Sequence, residues 1–191
     1  MKHFILLSIL FVILCMTSCQ NTKVDDTLTE LFEACWNCNE SDVFKYIKAE
    51  QDDFTITQLG DTQNSVIHYE SKQPLISIDN HMATLILEFN NEKLVLCGTQ
   101  LFFPSENDES AYNLLYNCTA QYDKNYDKDP QLVSENLFRG EKNYNVFQEE
   151  SKLSSNIQEE WVCDNSARLH LTYGKSGSSI RVLVFFMSDK S

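Results

Sequence analysis

Residues 83–103 read ATLILEFNNEKLVLCGTQLFF and carry the strongest structural pattern in the chain. Two long apolar runs, Ala83 to Phe89 and Lys93 to Phe103, flank Asn90-Asn91-Glu92. A connection this short and polar suits a tight turn between antiparallel strands. The stretch therefore predicts a long β-hairpin.

A second stretch near the end of the chain resembles the first. Residues 167–173 read ARLHLTY, parallel to ATLILEF at 83–89, and residues 179–188 follow the turn Gly174-Lys175-Ser176-Gly177 as the second strand of another hairpin. The second strands contain Leu101-Phe102-Phe103 and Val184-Phe185-Phe186, respectively. These matches predict an internal repeat with a period near 80 residues, with chance similarity of two amphipathic hairpins as the alternative.

Upstream of the first hairpin, the sequence predicts two helices and two strands. A capping-box pattern begins a helix over about Thr27 to Asn37, and Asn39 begins a second helix that ends near residues 48–51. Alternation then predicts strands at Phe54 to Thr57 and at Ser65 to Tyr69.

The same order of elements follows Pro104. Ala111, Leu114, Leu115, Cys118 and Tyr122 form a helical stripe, and Gln131 to Phe138 predicts a short second helix. Tyr144 to Phe147 and Ile157 to Cys163 are expected to be strands. The sequence thus predicts an α+β protein of two similar repeats, 26–104 and 105–191, each with two helices on one face of a four-stranded antiparallel sheet.

This order of elements resembles the β-lactamase-inhibitor-protein-like fold across nearly the whole chain after residue 25, although no diagnostic motif accompanies it. The resemblance implies that the exposed face of the sheet receives a protein partner. A single curved sheet around one long helix, of the cystatin-like or nuclear-transport-factor-like kind, is the alternative. Such a fold would hold a small ligand in its cone.

The predicted central strands are apolar on both faces, so each face needs a cover. Leu85, Leu87 and Phe89 point to one face while Ile86 points to the other. The other repeat could supply the second cover, or a partner could. The predicted partner-binding face consists of Ile86, Val95, Leu183, Phe185 and Met187.

The first residues of the chain have the order of an export signal. A basic start is followed by the apolar run Phe4 to Met16, which is shorter than the roughly 20 residues of a membrane-spanning helix. Met16-Thr17-Ser18-Cys19 then resembles the lipobox of bacterial lipoproteins. The resemblance implies a signal peptide over residues 1–18, cleavage before Cys19, a diacylglycerol on its thiol, acylation of its amino group, and a lipidated tether over residues 19–25.

Composition narrows the possible partners of such an anchored protein. Removal of 18 of the 191 residues leaves 173, and the loss of Lys2 changes the formal net charge from −13 to −14. Nucleic acid and anionic membrane surfaces would repel this chain. Gln20 stands where Asp would resemble an inner-membrane retention signal, so the outer membrane is favoured, with another envelope protein as the possible partner.

Cys35-Trp36-Asn37-Cys38 is the one candidate for chemistry in the sequence. The CxxC spacing permits thiol–disulfide exchange, but the motif lies at the end of the predicted helix, where the helix dipole disfavours a thiolate. A structural disulfide or buried thiols are the other interpretations. With neither a catalytic signature nor a metal or cofactor motif, the sequence predicts a non-catalytic binding or structural role, with a Cys35/Cys38 redox protein as the competing hypothesis.

Overall fold

The computed structural model describes residues 26–60, 65–128, 138, 141–153, 156–163 and 166–188. These residues form an α+β structure, in which the helices are α1 (Thr27–Cys35), α2 (Glu40–Ile47), α3 (Asp108–Asn125) and α4 (Tyr144–Leu153). The strands of the first part are β1 (Phe54–Leu59), β2 (Val66–Ser71), β3 (Ile76–Ile78), β4 (His81–Asn90) and β5 (Lys93–Pro104). Those of the second part are β6 (Asp127–Lys128), β7 (Asn156–Cys163), β8 (Ala167–Ser176) and β9 (Ser179–Ser188). The predicted leader, including Cys19, lies outside the described residues.

Side-chain caps fix the starts of the first two helices. Asp26 accepts hydrogen bonds from the backbone N–H of Thr29 at 3.0 Å and from its hydroxyl at 2.7 Å. Asn39 accepts one from the backbone N–H of Asp42 at 3.0 Å. Each cap satisfies a donor that the first helical turn leaves unpaired, which explains why both helices begin where the sequence predicts.

All nine strands belong to one antiparallel sheet with the order β1-β2-β4-β5-β9-β8-β7-β6, and β3 pairs beside β4. The two long hairpins meet at its centre, where Leu96 to Pro104 of β5 pair with Met187 to Ser179 of β9. The sequence predicted a separate sheet in each half of the chain, which is wrong for the described residues. The last strand pairs with the middle of the chain because both central strands are apolar on both faces and need a neighbour on each side.

The four helices pack on the same face of this sheet, as predicted. Each contributes one aromatic contact to a different strand. Phe32 of α1 stacks on Phe186 at a centroid distance of 4.0 Å. The other three pairs are Phe44 with Tyr69 at 5.3 Å, Tyr122 with Trp161 at 5.4 Å, and Phe147 with Tyr173 at 5.3 Å. These residues are all buried, so the core lies between the helices and this inner face.

Local patterns predicted most elements, with two exceptions among the described residues. Both hairpins are present, and the turn of the first has positive φ at Asn91 and Glu92, as a tight two-residue turn requires. Tyr144 to Phe147, predicted to be a strand, instead begins α4, and β3 was not predicted. The predicted helix Gln131 to Phe138 lies outside the described residues except for Phe138.

Candidate functional site

The candidate site is the face of the sheet opposite the helices, which we call the open face. None of the described helices packs on it. Cross-strand register identifies its residues, since Ile86, Gly98, Phe185 and His170 are successive partners across β4, β5, β9 and β8. Alternation then assigns every second residue of each strand to the same face. The two halves of the chain lie side by side in the sheet, so neither covers the open face of the other.

Five side chains form an apolar strip along the centre of the open face. They are Ile86, Leu96, Leu183, Phe185 and Met187, all partly exposed. Met82 and Phe102 extend the strip at one end and are 60% and 61% exposed, respectively. A contiguous exposed apolar surface of this kind is typical of interaction sites, whereas single exposed apolar residues are common on any protein.

Gly98 shapes the middle of the strip. A Cβ atom at this position would lie 2.5 Å from Cβ of Phe185, its cross-strand partner, and 3.1 Å from the carbonyl oxygen of Val184. Only a residue without a side chain permits this approach. Phe185 therefore packs directly against the backbone of β5, which leaves a shallow surface along the strip.

A polar cluster borders the strip on the β7 and β8 side. Nδ1 of His170 lies 3.3 Å from Glu160 and 3.1 Å from Nε2 of Gln158, and Arg168 also pairs with Glu160. The His170 ring stacks on Phe185 at 4.9 Å. His170 and Glu160 are only 7% and 5% exposed, and burial is the main reason that the pKa of His170 is lowered from 6.5. The cluster anchors one edge of the apolar strip.

A second histidine–glutamate pair borders the strip on the opposite side. Nδ1 of His68 on β2 lies 3.0 Å from a carboxylate oxygen of Glu88 on β4, and both side chains are partly exposed. Glu88 is also the cross-strand partner of Leu96. The open face thus has an apolar centre between two polar borders, an arrangement that protein-binding surfaces often show.

Four of the five predicted face residues are on the open face, and Val95 is the exception. A β-bulge lies where Phe89 pairs with Leu94 while Glu88 pairs with Leu96, so Val95 is the extra residue. Leu96, which simple alternation assigned to the inner face, takes the position opposite Glu88 and Met187. The sequence pattern carries no signal for this shift, because both faces of β5 are apolar.

The CxxC motif lies at the end of α1, as predicted. Cys35 is the last residue of the helix and is buried, Cys38 is partly exposed, and their thiols are not bridged. Burial raises the pKa of Cys35 to about 11, with further contributions from Cys38 and Asp42. A thiol with so high a pKa contains little of the thiolate needed for disulfide exchange near neutral pH. This geometry disfavours a redox role for the pair.

Other sites for chemistry are limited among the described residues. In that part of the chain, no group of three or more His, Cys, Asp or Glu side chains is arranged to hold a metal ion. A cavity of about 600 Å³ lies between the start of α2, residues 49–51 and the turn of the first hairpin, and Glu40, Glu50 and Glu92 are among its lining residues. It lies at the edge of the helical layer and does not form a cone inside the sheet.

Helix length and hydropathy give a further result. Within the described ranges, no helix is both long and apolar enough to cross a membrane. No protein-family model, characterised protein or solved structure matches the chain. The resemblances to lipoproteins and to the β-lactamase-inhibitor-protein-like fold therefore stay predictions.

Proposed function

We propose that the protein is a lipid-anchored component of the bacterial cell envelope whose open face binds a protein partner without catalysis. The observation that carries this proposal is the apolar strip between two polar borders, on a sheet face that none of the described helices covers. An acidic protein with a net charge of −13 would select a partner surface that is apolar at its centre and neutral or basic around it.

The anchor is proposed from the leader sequence. Cleavage before Cys19 would leave only residues 20–25 between the lipid and Asp26, the cap of α1. Such a short tether would hold the folded part close to the membrane. Acyl chains contribute roughly 0.8 kcal/mol for each buried methylene, so two or more chains would make release slow. The favoured location is the outer membrane.

The two halves of the chain are also proposed to be copies of one unit. Moving outward from the central β5–β9 pair, the first half supplies β4, β2 and β1, and the second half supplies β8, β7 and β6. The order of strands is therefore mirrored about the centre of the sheet. Together with the parallel between residues 83–89 and 167–173, this order favours a duplicated unit over chance similarity.

Replacement of the proposed lipidation residue tests the anchor. In cells that express the Cys19→Ser variant, we expect the protein to leave the membrane fraction and to lose incorporation of a labelled fatty acid. Mass spectrometry of the wild-type N-terminal peptide should find acyl groups on residue 19. A wild-type protein that keeps its original methionine and carries no acyl mass would contradict the proposal.

Photocrosslinking tests the binding face in the native envelope. A photoreactive amino acid at Leu183, in the apolar strip, should give one specific adduct with another envelope protein. The matched control places the same group at Val146, which is 45% exposed on α4 and away from the strip. Equal yields of the same adduct at both positions, or no adduct at Leu183, would contradict binding through the open face.

A further inference from the structure

The edge strand β1 has none of the features that usually protect the edge of a sheet. Among the described residues, it pairs only with β2, which leaves its other side at the margin of the sheet. Its sequence FTITQL contains no charge and no proline, and its register with β2 has no bulge. Natural proteins usually place Lys, Pro or a bulge on an edge strand to prevent pairing with other chains.

The strand is also exposed on both of its faces. Five of its six residues are exposed, and only Phe54 is buried. Ile56 is 50% exposed although it lies on the inner face beside Tyr69, and Leu59 is 44% exposed. The helical layer therefore ends before it reaches most of β1, and two large apolar side chains are left without full cover.

The opposite edge of the sheet provides a contrast. There β6 has only two residues, Asp127 and Lys128, and both are charged. Shortness and charge are two of the usual means of blocking edge pairing. One edge of this sheet is thus protected, and the other, longer edge is not.

Acidic residues stand at both ends of β1. Asp52 and Asp53 immediately precede it, and in the sequence Asp61 follows its final residues Leu59 and Gly60. An extended segment with an uncharged, β-prone run would continue the sheet through backbone hydrogen bonds. Cationic residues at the two ends of that run would meet these carboxylates.

We propose that β1 receives an extended segment of a partner protein, in which about six uncharged, β-prone residues are flanked on both sides by Lys or Arg. This site lies at the margin of the sheet and is separate from the apolar strip on the open face. A second copy of the chain fits it less well. Antiparallel pairing of two β1 strands over their full length would bring Asp52 of one copy opposite Asp61 of the other at both ends.

A synthetic peptide tests the proposal. The probe is KKTVTITVKK, titrated into the isotope-labelled mature chain that carries Cys19→Ser, with backbone amide signals followed by NMR. We expect the shifts to be confined to β1 and β2 and binding to weaken as salt is raised. The matched peptide EETVTITVEE should bind about tenfold or more weakly, since each exposed ion pair contributes up to about 1 kcal/mol.

Two further controls separate edge pairing from non-specific adhesion. Alternate N-methylation of KKTVTITVKK, which removes backbone donors, should abolish binding. Ile56→Lys and Thr57→Lys should each weaken binding about tenfold while circular dichroism shows an unchanged fold, and Val146→Lys should bind like wild type. Two protein variants keep the test valid if one of them fails to fold.

Several results would overturn the proposal. These are no binding of the lysine peptide, equal binding of the two peptides, binding that survives N-methylation, or shifts that map to the open face. Self-association that strengthens with salt and is lost in Ile56→Lys would identify a second copy of the chain as the occupant of the edge, contrary to the proposed partner.

Discussion

Gly98 sets the approach of Phe185 to the backbone of β5. Since a Cβ atom would lie 2.5 Å from Cβ of Phe185, Gly98→Ala must displace β9 or the aromatic side chain. We expect this variant to lower the free energy of unfolding by roughly 1–3 kcal/mol, the usual effect of overpacking, as measured by urea denaturation.

Gly177 provides the control for this substitution. It has a φ of +57° and no neighbouring atom within 4 Å of a Cβ. Asn tolerates the left-handed conformation, so Gly177→Asn should change stability by less than about 1 kcal/mol. Equal stability of Gly98→Ala and wild type would show that β5 and β9 are less closely packed than described.

His170 should make stability depend on pH. Burial lowers its pKa from 6.5, Glu160 raises it in part, and Arg168 lowers it further, so the unfolded chain binds the proton more readily. The stabilisation is therefore complete above about pH 6.5 and decreases as the pH falls toward the pKa of the folded state. Urea denaturation between pH 5 and 8 should show this decrease.

Comparison with His170→Gln isolates the histidine from other titrating groups. Glutamine keeps a polar side chain beside Glu160 and Gln158 but does not titrate, so its variant should show a smaller decrease in stability over the same pH range. Identical slopes for the two proteins would rule out His170 as the source. Glu160, Arg168, Gln158 and Phe185 are the residues that contact the ring on the printed register.

At the scale of elements, α4 depends on one aromatic side chain. Phe147 is fully buried, with its ring centroid 4.9 Å from that of Tyr112 and 5.3 Å from that of Tyr173. Phe147→Ala should lower the free energy of unfolding by about 3–5 kcal/mol. The neighbouring Val146 is 45% exposed, so Val146→Ala should cost less than about 1 kcal/mol in the same denaturation assay.

The same helix shows what a local pattern can and cannot predict. Tyr144-Asn145-Val146-Phe147 is too short an apolar run to distinguish the two periods, and the burial of Phe147 on α3 and β8 decides for the helix. The longer hairpins and capped helices were predicted correctly because their signals are local. The pairing of β5 with β9 joins residues more than 70 positions apart and has no local signal.

The candidate site was predicted to a similar extent. Alternation assigned Ile86, Leu183, Phe185 and Met187 to one face, and the structure agrees. The bulge at Val95 could not be read from a strand that is apolar on both sides. The polar borders were missed as well, because each joins residues from two strands whose register the sequence alone does not fix.

At the scale of the whole molecule, the central pairing of β5 and β9 makes the halves interdependent. If they are produced separately, as 26–104 and 105–191, each half exposes one apolar central strand at a new edge. We expect neither half to show a cooperative thermal transition by circular dichroism. Co-expression should restore a soluble complex that elutes as one species, and independent folding of either half would contradict this expectation.

The position of β9 also bears on how the chain is made. Its partner β5 is synthesised some 80 residues earlier, and the sheet has no centre until the last residues of the chain have been added. Until then, a newly made chain presents a long greasy ribbon to its surroundings and depends on chaperones or on the translocation channel to shield it. A premature stop codon before residue 179 would therefore yield a product destined for proteolysis, however complete its first half.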